Sequence, residues 1–222
     1  MIRTYAVIAT ANRPDVCLQA IESIRPQVEA VYVIDNGDEK RMPEPTGHDY
    51  LLFVLDPLYP PNLSKYWNLG LMAIASWVNW TDDPDLQWNV AIINDDAIVP
   101  PGWVDAVSTR MREHGAAAAC SGSPTENAFI HTVPGPVDLR TRMQGWAFML
   151  AGEKYLRFDE DLVWWFADDD LDWRSRQAGG MLMIPGYPVV NQFPNGQMTP
   201  ELQEQASRDR ATFEAKWGMA PW

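Results

Sequence analysis

The first fifty-five residues constrain the fold more than any other stretch. YAVIAT (5–10) is a continuous apolar run rich in β-formers, and AVYVI (30–34) is a second. A strand wetted on one side alternates apolar and polar residues. A strand covered on both faces reads as unbroken apolar sequence. Between the two runs, Pro14 fits the first turn of a helix that carries Val16, Ala20, Ile21 and Ile24 on one side, and Pro26 ends it. Strand, helix and strand in this order make a parallel crossover, the building block of α/β sheets. LLFVL (51–55) and VAII (90–93) read as a third and a fourth strand. They are separated by the Pro-rich DPLYPPN and by a helix through KYWNLGLMAIASWV, with Ser64 as its expected cap. PGWVDAVSTRMREHG reads as a helix with Trp103, Val107 and Met111 on one face and Gly115 as its stop. AAAACSG, WAFML and MLMIPGYPVV are shorter strand candidates. The last segment, TPELQEQASRDRATFEAKWG, reads as an amphipathic helix capped by Thr199, with Leu202, Ala206, Phe213 and Trp217 near one face. It is expected to pack on the domain or on a partner, which makes it a candidate oligomer contact.

In open α/β sheets, ligands bind beyond the carboxyl ends of the parallel strands. Three polar clusters fall there: Thr10, Asn12 and Arg13 after the first strand, Asp35 and Asn36 after the second, and Asn94, Asp95 and Asp96 after the fourth. Asn, Asp and Gly are ordinary turn residues. Three such clusters on one rim nevertheless point to a binding site. Asp95 and Asp96 form a hard oxygen site that suits Mg²⁺ or Mn²⁺, with substrate phosphate oxygens and water completing the shell. Arg13 and Lys65 are candidate positive charges beside it.

FADDDLDWRSRQAGG (166–180) gathers Asp168, Asp169, Asp170 and Asp172. A helix from about 171 to 177 pairs Asp170 with Arg174 and Asp172 with Arg176 at i,i+4, and acids at its start meet the positive end of the helix dipole. Three consecutive carboxylates beside Trp164, Trp165 and Phe166 raise one another's pKa, and a raised carboxylate is a competent general base. Eleven tryptophans is a high count, and some are candidates for exposure in a binding site.

The chain has 222 residues and a formal net charge of −13. The length fits one domain. The charge argues against tight non-specific nucleic-acid binding, which needs basic patches. Cys17 and Cys120 have neither disulfide-framework nor zinc spacing. No run is long enough to span a bilayer, and the start lacks the apolar core of a signal peptide. A soluble cytoplasmic protein is the expectation.

In their order along the chain, VIATANRPDVCLQAIESI…VYVIDNG, PPNLSKYWNLGLMAIA, IINDDAIVPPGWV and GWAFMLAGEKYLRFDEDLVWWFADDDLDWRSRQAGG resemble the family 2 glycosyltransferases, over roughly residues 5–180. The resemblance implies a GT-A fold with a mostly parallel central sheet flanked by helices. Residues 1–222 form one domain in it, with a nucleotide-sugar and metal half (1–100), an acceptor half (101–198) and the C-terminal helix (199–218). It implies inverting transfer from a nucleoside-diphosphate sugar, a UDP-sugar foremost, to a glycan, protein or small-molecule hydroxyl. Thr10, Asn12 and Arg13 would line the nucleotide pocket, with Asp35 and Asn36 near the base. Asp95 would face the ribose and metal region, and Asp96 would hold the metal. Asp169 and Asp170 would take the family's acidic-pair positions, with Asp170 as base and Asp169 on the acceptor side, where Trp146 foremost, Trp165 and Trp164 are candidates to stack an acceptor sugar on their rings. Two positions depart from the family. Asp169 stands where Glu is usual. No histidine follows Asp172, the three being His48, His114 and His131, so either Asn191, as a weaker oxygen ligand, or water would take that place on the metal.

Two other readings compete. A sugar nucleotidyltransferase needs a Gly-rich loop and lysine after the first strand, and ATANRPD has no glycine. A non-catalytic sugar-binding relic of the fold is the other.

Overall fold

Alternation along one strand explains the unbroken apolar runs. In the computed structural model, which describes residues 2–47, 49–56, 61–79, 86–193 and 199–222, β1 (Arg3–Thr10) turns Tyr5, Val7 and Ala9 to one core cluster. It turns Ala6 and Ile8 to another. Each face of the sheet therefore has its own core, and neither face of β1 sees water. The chain continues through α1 (Pro14–Ile24), β2 (Val31–Asp35), β3 (Leu51–Val54), α2 (Leu63–Asn79), β4 (Trp88–Asn94), the short β5 (Ala97–Ile98), α3 (Trp103–Glu113), β6 (Ala118–Ser121), β7 (Phe129–His131), β8 (Ala147–Ala151), α4 (Ala167–Gln177), β9 (Met181–Ile184), β10 (Val190–Asn191) and α5 (Pro200–Trp217).

Eight of these strands form one sheet in the order β3-β2-β1-β4-β8-β6-β9-β7. The pairs β3-β2, β2-β1, β1-β4 and β6-β9 are parallel. β8 runs antiparallel to both its neighbours, and β7 is antiparallel to β9. β10 and β5 pair separately as a two-stranded antiparallel ribbon. α2, α4 and α5 cover one face with Trp67, Trp173 and Phe213, while α1 and α3 cover the other with Ile21, Ile24 and Trp103. α2 lies close against β1 because residue 70 is glycine; a Cβ there would collide with Val7.

Several boundaries differ from the sequence expectation. The Pro-rich residues 57–60 and His48 lie outside the described residues. α2 begins at Leu63, and the side chain of Asn62, not Ser64, takes the free N–H of Lys65 at 2.9 Å. Ser64 is buried and donates to the Leu162 carbonyl. α4 begins at Ala167, four residues earlier than its polar pattern indicates, after Phe166 in a left-handed conformation (φ 61). α5 keeps its Thr199 cap, which accepts from Leu202 N at 3.3 Å. Of its expected stripe, Phe213 is buried and Trp217 packs on the same core, while Leu202 and Ala206 are only partly buried and Gln205 and Asp209 take the other buried positions.

Candidate active site

The sheet order brings β1, β2 and β4 side by side, so their carboxyl ends share one rim. Thr10 closes β1, and its hydroxyl donates to Asp95 Oδ2 at 2.8 Å. Arg13, at the start of α1, ion-pairs with Asp95 and reaches Asp96 Oδ2 at 3.5 Å. Burial and the Asp96 charge raise Asp95 to about 6, against the opposing pull of Arg13 and Thr10. Asp96 is also buried, and its Oδ1 has no hydrogen-bond partner. An orphaned buried carboxylate oxygen beside a second carboxylate is a place a hard cation satisfies. Among the described residues no group of three or more His, Cys, Asp or Glu side chains comes together to hold a metal. Two carboxylates with one unpartnered oxygen are compatible with a hard cation such as Mg²⁺ or Mn²⁺ whose other ligands are water or substrate. β10 runs past this point: Gln192 N donates to the Asp96 carbonyl at 2.9 Å. Asn191 directs its side-chain oxygen to Phe193 N at 3.1 Å, so it is not a free ligand.

The cluster at β2 does different work from that expected. Asn12 has a left-handed backbone (φ 60), and its side-chain oxygen accepts three consecutive N–H groups, of Asp38, Glu39 and Lys40, at 3.0, 2.8 and 3.0 Å. Asp35 is fully buried and accepts Gly37 N at 2.9 Å and Met42 N at 2.8 Å. Both side chains hold the 37–42 loop in shape. With every oxygen so engaged, they build the wall of a pocket and are poorly placed to contact a ligand through those atoms. Asn36 is buried beside them and its N–H bonds to the Thr10 carbonyl at 3.1 Å. Lys65 is exposed in the first turn of α2 on the same rim, and no ion pair ties it to Asp95 or Asp96.

Residues 145 and 146 join this cluster to the acidic helix. The Trp146 carbonyl accepts Asn94 N at 2.9 Å, directly before Asp95. Gly145 lies against Asp168: a Cβ at 145 would overlap the Asp168 carboxylate. Trp146 is partly buried, and its indole N–H is buried without a partner.

The four aspartates of 168–172 separate by their neighbours. Asp172 makes a two-pronged ion pair with Arg176 at 2.8 Å, and Arg176 also donates to the Gly135 carbonyl at 2.8 Å. Asp170 is fully buried. It accepts Arg174 Nε at 2.7 Å and Trp217 Nε1 at 2.9 Å, and Lys216 lies 2.8 Å away. Both expected i,i+4 pairs are present. Asp170 is consequently enclosed and neutralised on the α5 side, which corrects its expected place as the base: a carboxylate without surface and with both oxygens engaged does not meet an acceptor. Asp169 is paired with Arg142. Asp168 keeps part of its surface open. Burial raises its pKa, and the Arg142 charge and the N–H groups of Asp168 and Asp169 at the helix start only partly offset this. Asp169 is raised as well, first by burial and then by the Asp168 charge. Burial opposes the charge of Arg142, but Asp168 and Asp169 hold it positive, so its pKa is raised. Trp165 is partly exposed on the turn before α4, where its N–H is held by Asp209 at 2.8 Å.

Arg142, Gly145, Asp168 and Asp209 escaped the sequence reading. Asp168 was in view as one of a run; only its neighbours single it out.

No protein-family model matches the sequence, and no curated protein matches it. Solved structures do. The chain aligns with S. aureus TarS 1–349 at a TM-score of 0.57 and 9% identity, covering 98% of this chain and 74% of that one. With GalNAc-T7, crystallised with UDP, GalNAc and Mn²⁺, the TM-score is 0.61 at 10% identity, over 95% of this chain and 48% of that one. With the longer S. aureus TarS structure it is 0.52 at 12% identity, over 83% and 35%. The chain thus spans about half of GalNAc-T7. At these identities the likeness concerns architecture: the chain has the GT-A fold, an α/β architecture whose mostly parallel central sheet is flanked by helices.

Proposed function

We propose that the protein is an inverting, metal-dependent glycosyltransferase of the family 2 type, moving a sugar from a nucleoside-diphosphate sugar to an acceptor hydroxyl. The observation that carries this is the span at 145–146. Its Trp146 carbonyl is bonded to Asn94, next to Asp95, and its Gly145 packs on Asp168, which supports reading the Arg13–Asp95–Asp96 cluster and Asp168 as parts of one site. GalNAc-T7 of the same fold holds UDP and Mn²⁺, and UDP is the nucleotide we favour here. Residues 1–100 would serve the donor, 101–198 the acceptor, and 199–218 would brace the acceptor half.

In this reading Asp95 and Asp96 hold the cation. When bound, it offsets charge on the diphosphate leaving group. Arg13, already on the two carboxylates, adds a mobile positive charge for the same phosphates. Asp168, with its raised pKa, accepts the proton of the acceptor hydroxyl. The acceptor oxygen forms its bond to the anomeric carbon as the bond from that carbon to the diphosphate oxygen breaks. The electron pair leaves on the nucleoside diphosphate. One displacement with no covalent sugar–enzyme intermediate inverts the anomeric centre. In this reading the part-exposed Trp146, next in sequence to Gly145, packs against the sugar.

The test is nucleotide release from UDP-, GDP- and dTDP-sugars, with Mn²⁺, with Mg²⁺ and with a chelator. Metal-dependent release of UDP from at least one UDP-sugar is expected. Release from no donor under any of these conditions would overturn the proposal.

A further inference from the structure

Beside the acidic helix lies a broad open cleft of about 730 Å³, lined by Pro136, Val137, Asp138, Leu139, Arg140 and Trp222. Nothing in the reaction described above uses it. Trp222 is about half exposed, at 49%, and its ring lies 5.8 Å from that of Phe166, the residue that starts α4. The Arg142 guanidinium sits 5.8 Å from the Trp222 ring centroid and is ion-paired with Asp169. Arg176, anchored on Asp172, ties down the carbonyls of Val133 and Gly135 at the root of the cleft loop. The cleft is therefore fastened to α4 at several points and shares Arg142 with the Asp168–Asp169 pair.

We propose that this cleft is an acceptor subsite for a saccharide, with Trp222 as its stacking platform and Leu139 as its opposite apolar wall. The inference rests on the glycosyl-transfer reading and extends it by assigning the acceptor class. A pyranose offers a C–H face for an indole and a ring of hydroxyls at its edge. Here a half-exposed indole has Arg142 over its ring, and the exposed, mutually paired Asp138 and Arg140 line the same cleft. An acyl chain needs a deep apolar slot; this cleft is broad, open and edged with charge. A sugar on Trp222 would lie next to Arg142, whose charge also acts on Asp168 and Asp169.

The test is saturation-transfer NMR with methyl β-glucoside, methyl β-galactoside, methyl N-acetyl-β-glucosaminide and their β-linked disaccharides, on wild type, Trp222→Ala, Leu139→Glu and Trp77→Ala. Leu139→Glu changes an exposed loop residue and keeps the cleft testable if Trp222→Ala does not fold. Trp77 is exposed on α2 and serves as control. At least one saccharide is expected to bind wild type and Trp77→Ala, with the signal reduced roughly fivefold or more in Trp222→Ala and Leu139→Glu. Binding of no saccharide, signals unchanged in both cleft variants, or binding of a dodecyl-chain probe alone would overturn the subsite. UDP titrated with Mn²⁺ into the same samples separates the two readings. Loss of saccharide with UDP retained is specific to the cleft. Absence of UDP binding in wild type counts against the donor site itself.

Discussion

Asp168 and Asp170 stand two positions apart and do opposite things. Asp170 is locked to Arg174, Lys216 and Trp217, whereas Asp168 is only partly buried and packs its carboxylate against Gly145. Asp168→Asn should lower transfer by about 10²–10⁴-fold and leave UDP binding intact. Asp170→Asn should chiefly lower the unfolding midpoint. Its cost falls at or below the ~3–5 kcal/mol of a broken buried pair, because Arg174 and Lys216 can still reach water. Steady-state rates and thermal melts on both variants check this, and comparable transfer by Asp168→Asn and wild type would refute the assignment. The raised pKa of Asp168 also makes a stability claim. The folded state holds this proton more tightly than the unfolded chain, so stability falls as pH rises from the ordinary carboxylate range near ~4 through the raised value. Asn has no proton to release. Asp168→Asn should therefore melt higher than wild type at pH 8 and equal to it near pH 4, while wild-type activity rises over the same window. Arg13 gives a third prediction. It sits on both carboxylates that would hold the cation. Without nucleotide, Arg13→Ala should bind Mn²⁺ up to about fivefold more tightly, the scale of a partly exposed ion pair of ~1 kcal/mol. It should bind UDP more weakly. Calorimetry checks both, and unchanged or weaker Mn²⁺ binding counts against the exchange.

At the scale of elements, α5 is a brace with a polar inner face. Asp209 is buried on it and accepts the N–H groups of Val163, Trp164 and Trp165 at 3.2, 2.8 and 2.8 Å, fixing the turn that launches α4. Asp209→Ala leaves three N–H groups without their acceptor. It should cost about 1–3 kcal/mol and lower kcat more than donor affinity, because the displaced turn carries the start of α4; a fall in donor affinity alone would contradict this. Much of the architecture was legible in the sequence. β1, β2 and β4 announce themselves as apolar runs because both their faces are covered, and the rim clusters follow from their ends. The short β5 and β7 are too brief for a periodic signal. The start of α4 was misplaced because it depends on Phe166 in a left-handed conformation, which no glycine marks. Asp168 could not be told from Asp170 because the difference lies in Lys216 and Trp217, nearly fifty residues away, where helical pattern alone names no partner. Asn12 and Asp35 belong to the rim as expected, but loop folding consumes the atoms that were assigned to a ligand.

For the whole molecule, the GT-A sheet ends in the Asp95–Asp96 pair proposed to hold a cation, Asp168 of α4 packs on the neighbouring Gly145, and the protein around them is strongly acidic. With a formal charge of −13, an anionic donor meets repulsion except where Arg13 and a cation reverse the local sign. Nucleotide binding should then depend on the divalent ion far more than on monovalent salt. The most direct test is calorimetric titration of UDP into the protein with and without Mn²⁺, for wild type and Asp96→Asn. The structure and its proposed function predict one UDP bound per chain in the presence of Mn²⁺, with binding lost on chelation and in Asp96→Asn. No UDP binding with Mn²⁺ present, or equal binding by Asp96→Asn, would contradict the donor site at Asp95 and Asp96.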